Sequence, residues 1–126
     1  MTASARALQA VRVGYGMALV LAPGLVLRLV TGRIPSRRTC LVAQVLGTRH
    51  LIQAAATAVA PRPEVFAIGG RVDAVHAASM LLAAVRPAER RAALADAVVE
   101  TALAAAGPLA CPVLVPGQAS RVLRRN

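Results

Sequence analysis

The sequence contains no tryptophan and no lysine, and it has a single tyrosine and a single phenylalanine among 126 residues. The shortage of aromatic side chains argues against nucleic-acid binding, because single-stranded nucleic acids stack on aromatic rings along a basic groove. The chain therefore also lacks the belt of Trp and Tyr that anchors many membrane helices at the interface. Arg12, Arg28 and Arg86 are therefore predicted to anchor helix ends by extending toward the lipid head groups.

Acidic residues are scarce as well: the chain has five, against 15 arginines, and its formal net charge is +10. Most of the arginines fall in short runs between apolar stretches, an arrangement that suits anionic lipid head groups better than a nucleic acid. The use of Arg without Lys, together with abundant Ala, is typical of a GC-rich bacterial genome. The predicted partner is the lipid bilayer, and no nucleic acid is expected.

Catalytic and cofactor motifs are also missing. There is no Gly-x-Ser-x-Gly, no phosphate-binding loop and no Ser or Cys beside a His, so the sequence predicts neither an enzyme nor a cofactor. His50 and His76 could ligate a haem, but the large aromatic side chains that pack a porphyrin are absent. Together with Asp73 or Glu100, these histidines lack the spacing of a zinc site, and no metal is predicted.

What the sequence does have is 57% hydrophobic residues, gathered into apolar stretches at 13–30, 40–59, 65–85 and 92–115. Each stretch is long enough to cross the roughly 30 Å hydrocarbon core as an α-helix. Breaks rich in Pro and Arg separate them, and such short connections force neighbouring helices to run antiparallel. Residues 1–126 are thus predicted to form one all-α domain, an integral membrane bundle of about four transmembrane helices running up-down-up-down in the inner (plasma) membrane.

Two alternatives to four spans stay open from the sequence. A turn at Gly107-Pro108 would leave three spans. Ten of the thirteen counted arginines would then lie on one side of the membrane and three on the other, whereas four spans place six on one side and seven on the other. A soluble or peripheral bundle is the other alternative, although stretch 40–59 offers only a thin polar face to water. Within stretch 13–30, Pro23-Gly24 predicts a kink.

Ionisable residues inside the apolar stretches are the most informative feature. They form a candidate intramembrane polar cluster of seven residues, namely Arg49, His50, Arg71, Asp73, His76, Asp96 and Glu100. A charge at the bilayer centre costs about 2.5 to 3.5 kcal/mol on insertion scales, so these residues are expected to face one another. Counting residues away from the breaks predicts two contacts, Arg49 with Asp73 and His76 with Glu100.

Two functions are compatible with such a cluster. The first is a structural or accessory membrane protein whose ion pairs hold the bundle together, as a homo-oligomer or within a larger membrane complex. The second is a small proton or cation conduit that uses Asp73, His76 and Glu100 as a relay, because titratable groups at membrane depth mark such pathways. The near balance of charge in the cluster favours the structural role.

Two short motifs give the chain a resemblance to a known group of proteins. Leu46-Gly-Thr-Arg-His50 is followed about twenty residues later by Gly69-Gly-Arg-Val-Asp73. Over roughly residues 11–85 this pattern resembles small bacterial four-helix membrane proteins of the DoxX-like neighbourhood, which include uncharacterised families. Those proteins have a Gly-x-Arg-polar step on the second helix and an Asp in the third, but His50 stands here where an acidic residue is usual. The resemblance implies an accessory membrane protein and assigns no reaction.

Overall fold

The computed structural model describes residues 2–110, with side chains as far as Gly107. The regular secondary structure of this part consists of five helices and no strand, so the all-α prediction is confirmed. The helices are α1 (Ala3–Leu21), α2 (Pro23–Thr31), α3 (Arg37–Val59), α4 (Pro63–Ala83) and α5 (Arg90–Ala110).

The helix ends follow local sequence signals. Thr2 and Ser36 cap α1 and α3, and each side-chain oxygen accepts a backbone N–H from the first turn. Pro23 and Pro63 lie in the first turns of α2 and α4, where the missing N–H has no helical partner to lose. Gly32 ends α2 with φ 69°, a left-handed conformation that glycine adopts without a steric penalty.

The first apolar stretch, 13–30, is not a single helix. α1 ends at Leu21, and α2 turns away from it by 100°. The residue before a proline is disfavoured in the helical region, and Ala22 accordingly has φ −137° and ψ 50°. The kink predicted at Pro23-Gly24 is therefore present, as a sharp break that divides stretch 13–30 between two helices.

The other three helices begin within a few residues of the predicted stretches. α5 continues through Gly107 and Pro108 to Ala110, so the alternative turn at this step does not occur. The end of the predicted fourth stretch, at residue 115, lies outside the described residues. The Arg-rich tail beyond it lies outside them as well.

Helix length and composition support fewer membrane spans than the sequence predicted. Among the described helices, α4 alone is long and apolar enough to cross a membrane. α1 and α2 pass the same test only when taken together, as a pair bent by 100°. α3 and α5 are about 34 and 32 Å long at 1.5 Å per residue, but charged residues lower their hydropathy.

The helices associate as two close pairs, α1 with α3 and α4 with α5. Gly16 and Gly47 meet where α1 crosses α3, and a Cβ atom added to Gly47 would lie 2.6 Å from the Gly16 carbonyl oxygen. Where α4 crosses α5, a Cβ atom on Gly70 would lie 3.2 Å from the carbonyl oxygen of Ala104. Small residues thus allow the backbones of each pair to approach closely.

The space between the two helix pairs is largely polar. A small apolar core of Ala5, Leu8, Phe66 and Leu103 closes one end of it. The rest is filled by the charged and amide side chains described below, while large aliphatic side chains point outward from every helix. The molecule therefore buries a set of charged side chains between its helix pairs, while many large aliphatic side chains are exposed on the outside.

Candidate functional site: a buried polar cluster

Nine polar side chains from α1, α3, α4 and α5 meet between the two helix pairs. We refer to them as the polar cluster, and its members are Arg12, Tyr15, Arg49, His50, Gln53, Asp73, His76, Asp96 and Glu100.

Asp73 is the acceptor at the centre of the cluster and is completely buried. Its Oδ2 accepts a hydrogen bond from the guanidinium of Arg12. Its Oδ1 accepts one from Gln53 at 3.0 Å and lies 3.5 Å from Nη2 of Arg49. The predicted contact between Arg49 and Asp73 is therefore present. It forms because the two residues lie ten positions from the facing ends of α3 and α4.

Arg12 occupies the interior and does not anchor a helix end. Only 1% of its side chain is exposed, and it pairs with Asp73. Gly69 leaves room for the guanidinium, since a Cβ atom there would lie 3.1 Å from Nη1 of Arg12. The prediction that Arg12 reaches the head groups is wrong, because α1 begins at Ala3 and places this residue in mid-helix.

Glu100 is the second fully buried carboxylate, and its two oxygens have different surroundings. Oε1 accepts a hydrogen bond from Arg49 and lies 2.9 Å from Nε2 of His50, which is itself completely buried. Oε2 is buried and has no hydrogen-bond partner among the described residues. Half of this carboxylate is thus left unsatisfied, which is costly in a protein interior.

Asp96, His76 and Tyr15 form the outer part of the cluster. Oδ2 of Asp96 lies 2.9 Å from Nε2 of His76, and Oδ1 accepts a hydrogen bond of 2.9 Å from the Tyr15 hydroxyl. The Tyr15 ring also meets the His50 ring edge-on, with centroids 5.3 Å apart. Tyr15 therefore connects this outer part to the buried part.

His76 forms its ion pair with Asp96, and the predicted contact of His76 with Glu100 is one of proximity, with a donor atom of each within 4.8 Å of the other. The count from the sequence was centred near residue 88, whereas the connection between α4 and α5 covers residues 84–89 and has its centre earlier. His76 lies seven positions before the end of α4 and Asp96 six positions after the start of α5, so these two side chains meet.

Arg71 is the one predicted member that the structure leaves out of the cluster. Its side chain is exposed on the outside of α4. Two residues along an α-helix correspond to a rotation of about 200°, so Arg71 and Asp73 project from nearly opposite faces. Tyr15 and Gln53 take part in the cluster, although the sequence did not place them in it.

The charges of the cluster nearly cancel. Two guanidinium groups, of Arg12 and Arg49, face the carboxylates of Asp73, Asp96 and Glu100. The net charge is −1 with neutral histidines and zero when one histidine is protonated. The balance is the same as predicted, with Arg12 in place of Arg71. Removing one partner of such a buried pair leaves an uncompensated charge.

A cavity of about 600 Å³ lies against the outer part of the cluster. Tyr15, Arg49, His76 and Asp96 line its polar end, and aliphatic side chains of α2 and α3 form much of the remaining wall. The cavity exists because α2 turns away from α1 at Ala22. Arg49 and His76, which line it, have side chains that are each 24% exposed, whereas His50, Asp73 and Glu100 in the inner part of the cluster are completely buried.

Comparison with known proteins does not assign this arrangement to a family: no family model, no curated protein and no solved structure matches the chain. The resemblance to the DoxX-like neighbourhood stays a prediction from two short motifs.

Proposed function

We propose that this chain is a multi-pass integral membrane protein with a structural or accessory role, whose polar cluster holds two helix pairs together inside the bilayer. The observation that carries the proposal is the distribution of polarity. The charged side chains of the polar cluster lie in the interior, and many large aliphatic side chains are exposed on the outside of every helix. A bundle surrounded by water has the opposite arrangement.

The outward aliphatic surface extends over several helices. Val45 on α3 is 71% exposed, Leu82 on α4 is 76% exposed and Val98 on α5 is 69% exposed. Contiguous apolar surface of this kind makes a protein in water associate or aggregate. Facing hydrocarbon, the same side chains need no further partner. This distribution therefore supports a lipid environment.

Three hydroxyl groups on the outside are satisfied within their own helices. Thr48, Ser79 and Thr101 are exposed, and each donates to the carbonyl oxygen four residues earlier, at 2.8, 2.9 and 2.7 Å. Hydrocarbon offers no water to a polar group, so internal hydrogen bonds of this kind are what a lipid-facing helix needs.

Arg71 is compatible with the same placement. It lies eight residues after the start of α4, which is about 12 Å along the helix at 1.5 Å per residue. Side chains on a helix lean toward its N-terminus, so the long arginine chain can carry its guanidinium back to the head-group region.

The proposed spans are α1, α3, α4 and α5. Each contains at least 19 residues, whereas α2 has nine and is too short to cross. The charges that lower the hydropathy of α3 and α5 include Arg49, Asp96 and Glu100. Arg49 pairs with Glu100, and Asp96 pairs with His76, so these side chains face the interior and not the lipid.

Alkaline extraction and cysteine accessibility test the proposal. Cys40 and Cys111 are replaced by Ser, and a single Cys is introduced as Pro61→Cys or Ala88→Cys in the connections that flank α4. The protein is expected to stay in the membrane after a carbonate wash. An impermeant maleimide should label one variant in spheroplasts and the other only in inverted vesicles. Release by carbonate, or labelling of both variants from one side, contradicts the proposal.

The structure gives less support to a proton or cation conduit. The cavity reaches the cluster from the side of α2, but the apolar core of Leu8, Phe66 and Leu103 closes the opposite end. Liposomes containing the purified protein and a pH-sensitive dye are expected to show no proton flux above that of empty vesicles. Flux that is lost with His76→Ala would favour the conduit instead.

A further inference from the structure

His76, Asp96 and Glu100 lie close enough together to hold one metal ion between them. One donor atom from each residue lies within 4.8 Å of the other two. Asp96 and Glu100 are one turn apart on the same face of α5, and His76 projects toward them from α4. Helix bundles build metal sites in this way, from inward carboxylates and histidines on facing helices. We propose that these three residues bind one first-row divalent cation.

The unsatisfied oxygen of Glu100 is the observation that points to a ligand. The residue is completely buried, and Oε1 is already engaged by Arg49 and lies beside His50. Oε2 has no hydrogen-bond partner in the part of the chain that the structure describes. A cation bound to Oε2 satisfies this oxygen without disturbing the contacts of Oε1.

Asp96 also has one carboxylate oxygen positioned to bind a cation. The Tyr15 hydroxyl donates to Oδ1, which leaves Oδ2 directed at His76. A hydrogen bond to the other oxygen of a ligating carboxylate orients it and raises metal affinity. The cation takes the place of the proton shared between Oδ2 of Asp96 and Nε2 of His76.

The donor set determines the class of metal. One imidazole with two carboxylates suits Zn²⁺, Mn²⁺ or Fe²⁺, whereas Ca²⁺ and Mg²⁺ prefer oxygen ligands alone. The cluster is one negative charge in excess when its histidines are neutral, which favours a cation. The neighbouring guanidinium of Arg49 opposes it and lowers the affinity.

The cavity gives the cation a route and leaves room for water. His76 and Asp96 both line it, with 24% and 11% of their side chains exposed. Three protein ligands and one water complete a tetrahedral shell around zinc, which is the open form of such a site. The sequence spacing did not indicate this site because one ligand comes from a different helix. The inference does not depend on the bilayer role proposed above.

Titration of the purified full chain in lipid nanodiscs, after removal of metal with EDTA, tests the proposal. Zn²⁺ binding is measured by calorimetry and Co²⁺ binding by visible absorption. We expect one ion per chain, with binding at least tenfold weaker in His76→Ala and in Asp96→Asn. Glu64→Gln, at an exposed carboxylate outside both the cluster and the cavity, is the matched control and should bind as the unmodified chain does. Saturation well below one ion per chain, or unchanged binding by His76→Ala, overturns the proposal.

X-ray absorption at the zinc edge of the unmodified chain keeps the test independent of whether the variants fold. The expected shell has one imidazole and oxygen donors. A shell with two imidazoles or a sulfur ligand would show binding elsewhere and contradict the site.

Discussion

At the scale of single residues, Asp73 is a buried carboxylate whose charge depends on its partners. It is completely buried and accepts hydrogen bonds from Arg12 and Gln53, with Arg49 also within ion-pair distance. Arg12 is almost as buried, and Asp73 is its ionic partner. The charge of each residue is therefore tolerated in the interior because the other is present.

Loss of Asp73 alone should accordingly be severe. Asp73→Asn leaves the Arg12 guanidinium buried without a counter-charge, and we expect the free energy of unfolding to fall by about 3 to 5 kcal/mol. Unfolding of the purified chain in mixed micelles, followed by circular dichroism, measures the change.

The double variant Arg12→Gln with Asp73→Asn separates lost charge from lost packing. It should recover much of the stability, because no isolated charge remains in the interior. Arg71→Gln, two residues away on the outside of α4, is the control and should change stability little. A double variant no more stable than Asp73→Asn would show that the pairing of charges is not what matters.

At the scale of helices, the tightest glycine crossing among the described residues is between Gly16 on α1 and Gly47 on α3. A Cβ atom at Gly47 would meet the Gly16 carbonyl oxygen, and backbone cannot move aside as a flexible side chain can. The contact brings Arg12 and Tyr15 of α1 next to Arg49 and His50 of α3. Helix packing and assembly of the polar cluster therefore depend on the same glycines.

Gly47→Ala should destabilise the pair of α1 and α3. The added methyl group has to push the helices apart, at a cost of about 1 to 3 kcal/mol. Gly14→Ala is the matched control, since a Cβ atom there meets nothing within 4 Å and alanine favours a helix. Thermal unfolding of the two variants in the same micelles compares them. Equal unfolding temperatures would contradict the close crossing.

The helices also show how much of the site could be predicted from the sequence. The contact of Arg49 with Asp73 was predictable because a short connection joins α3 to α4. Residues that lie the same number of positions from such a connection are at the same level of the two antiparallel helices. The contact of His76 with Asp96 was missed because the centre of the next connection was misplaced by a residue or two. The burial of Arg12 was not predicted, because stretch 13–30 suggested that the first helix begins beside this residue. The N-cap at Thr2 instead starts α1 at Ala3, so Arg12 lies well inside the helix.

Some features of the fold were beyond prediction for a different reason. Pro23 indicated a kink, but the 100° turn depends on how α2 packs against α3 and α5. The cavity follows from that turn and has no signature of its own in the sequence. Tyr15 was an isolated aromatic residue with no indicated partner, and its role depends on the relative position of α1 and α5.

At the scale of the whole molecule, the inner and the outer surfaces of the helix pairs have different roles. Close contact of small residues holds each pair together, and the polar cluster joins one pair to the other. The outer surface contributes nothing to this association and carries most of the large aliphatic side chains. In lipid such a surface is favourable, since helix association there relies on packing and interhelical polar contacts.

Spin-label accessibility of the outer surface in nanodiscs measures directly whether lipid surrounds it. Labels are placed one at a time at Val45→Cys, Val72→Cys and Val98→Cys in a chain with Cys40 and Cys111 replaced by Ser. All three should collide more with oxygen, which concentrates in hydrocarbon, than with a water-soluble nickel chelate. A label at Ala88→Cys, in the connection between α4 and α5, should show the reverse. Higher accessibility to nickel than to oxygen at the three valine positions would contradict a membrane-embedded bundle.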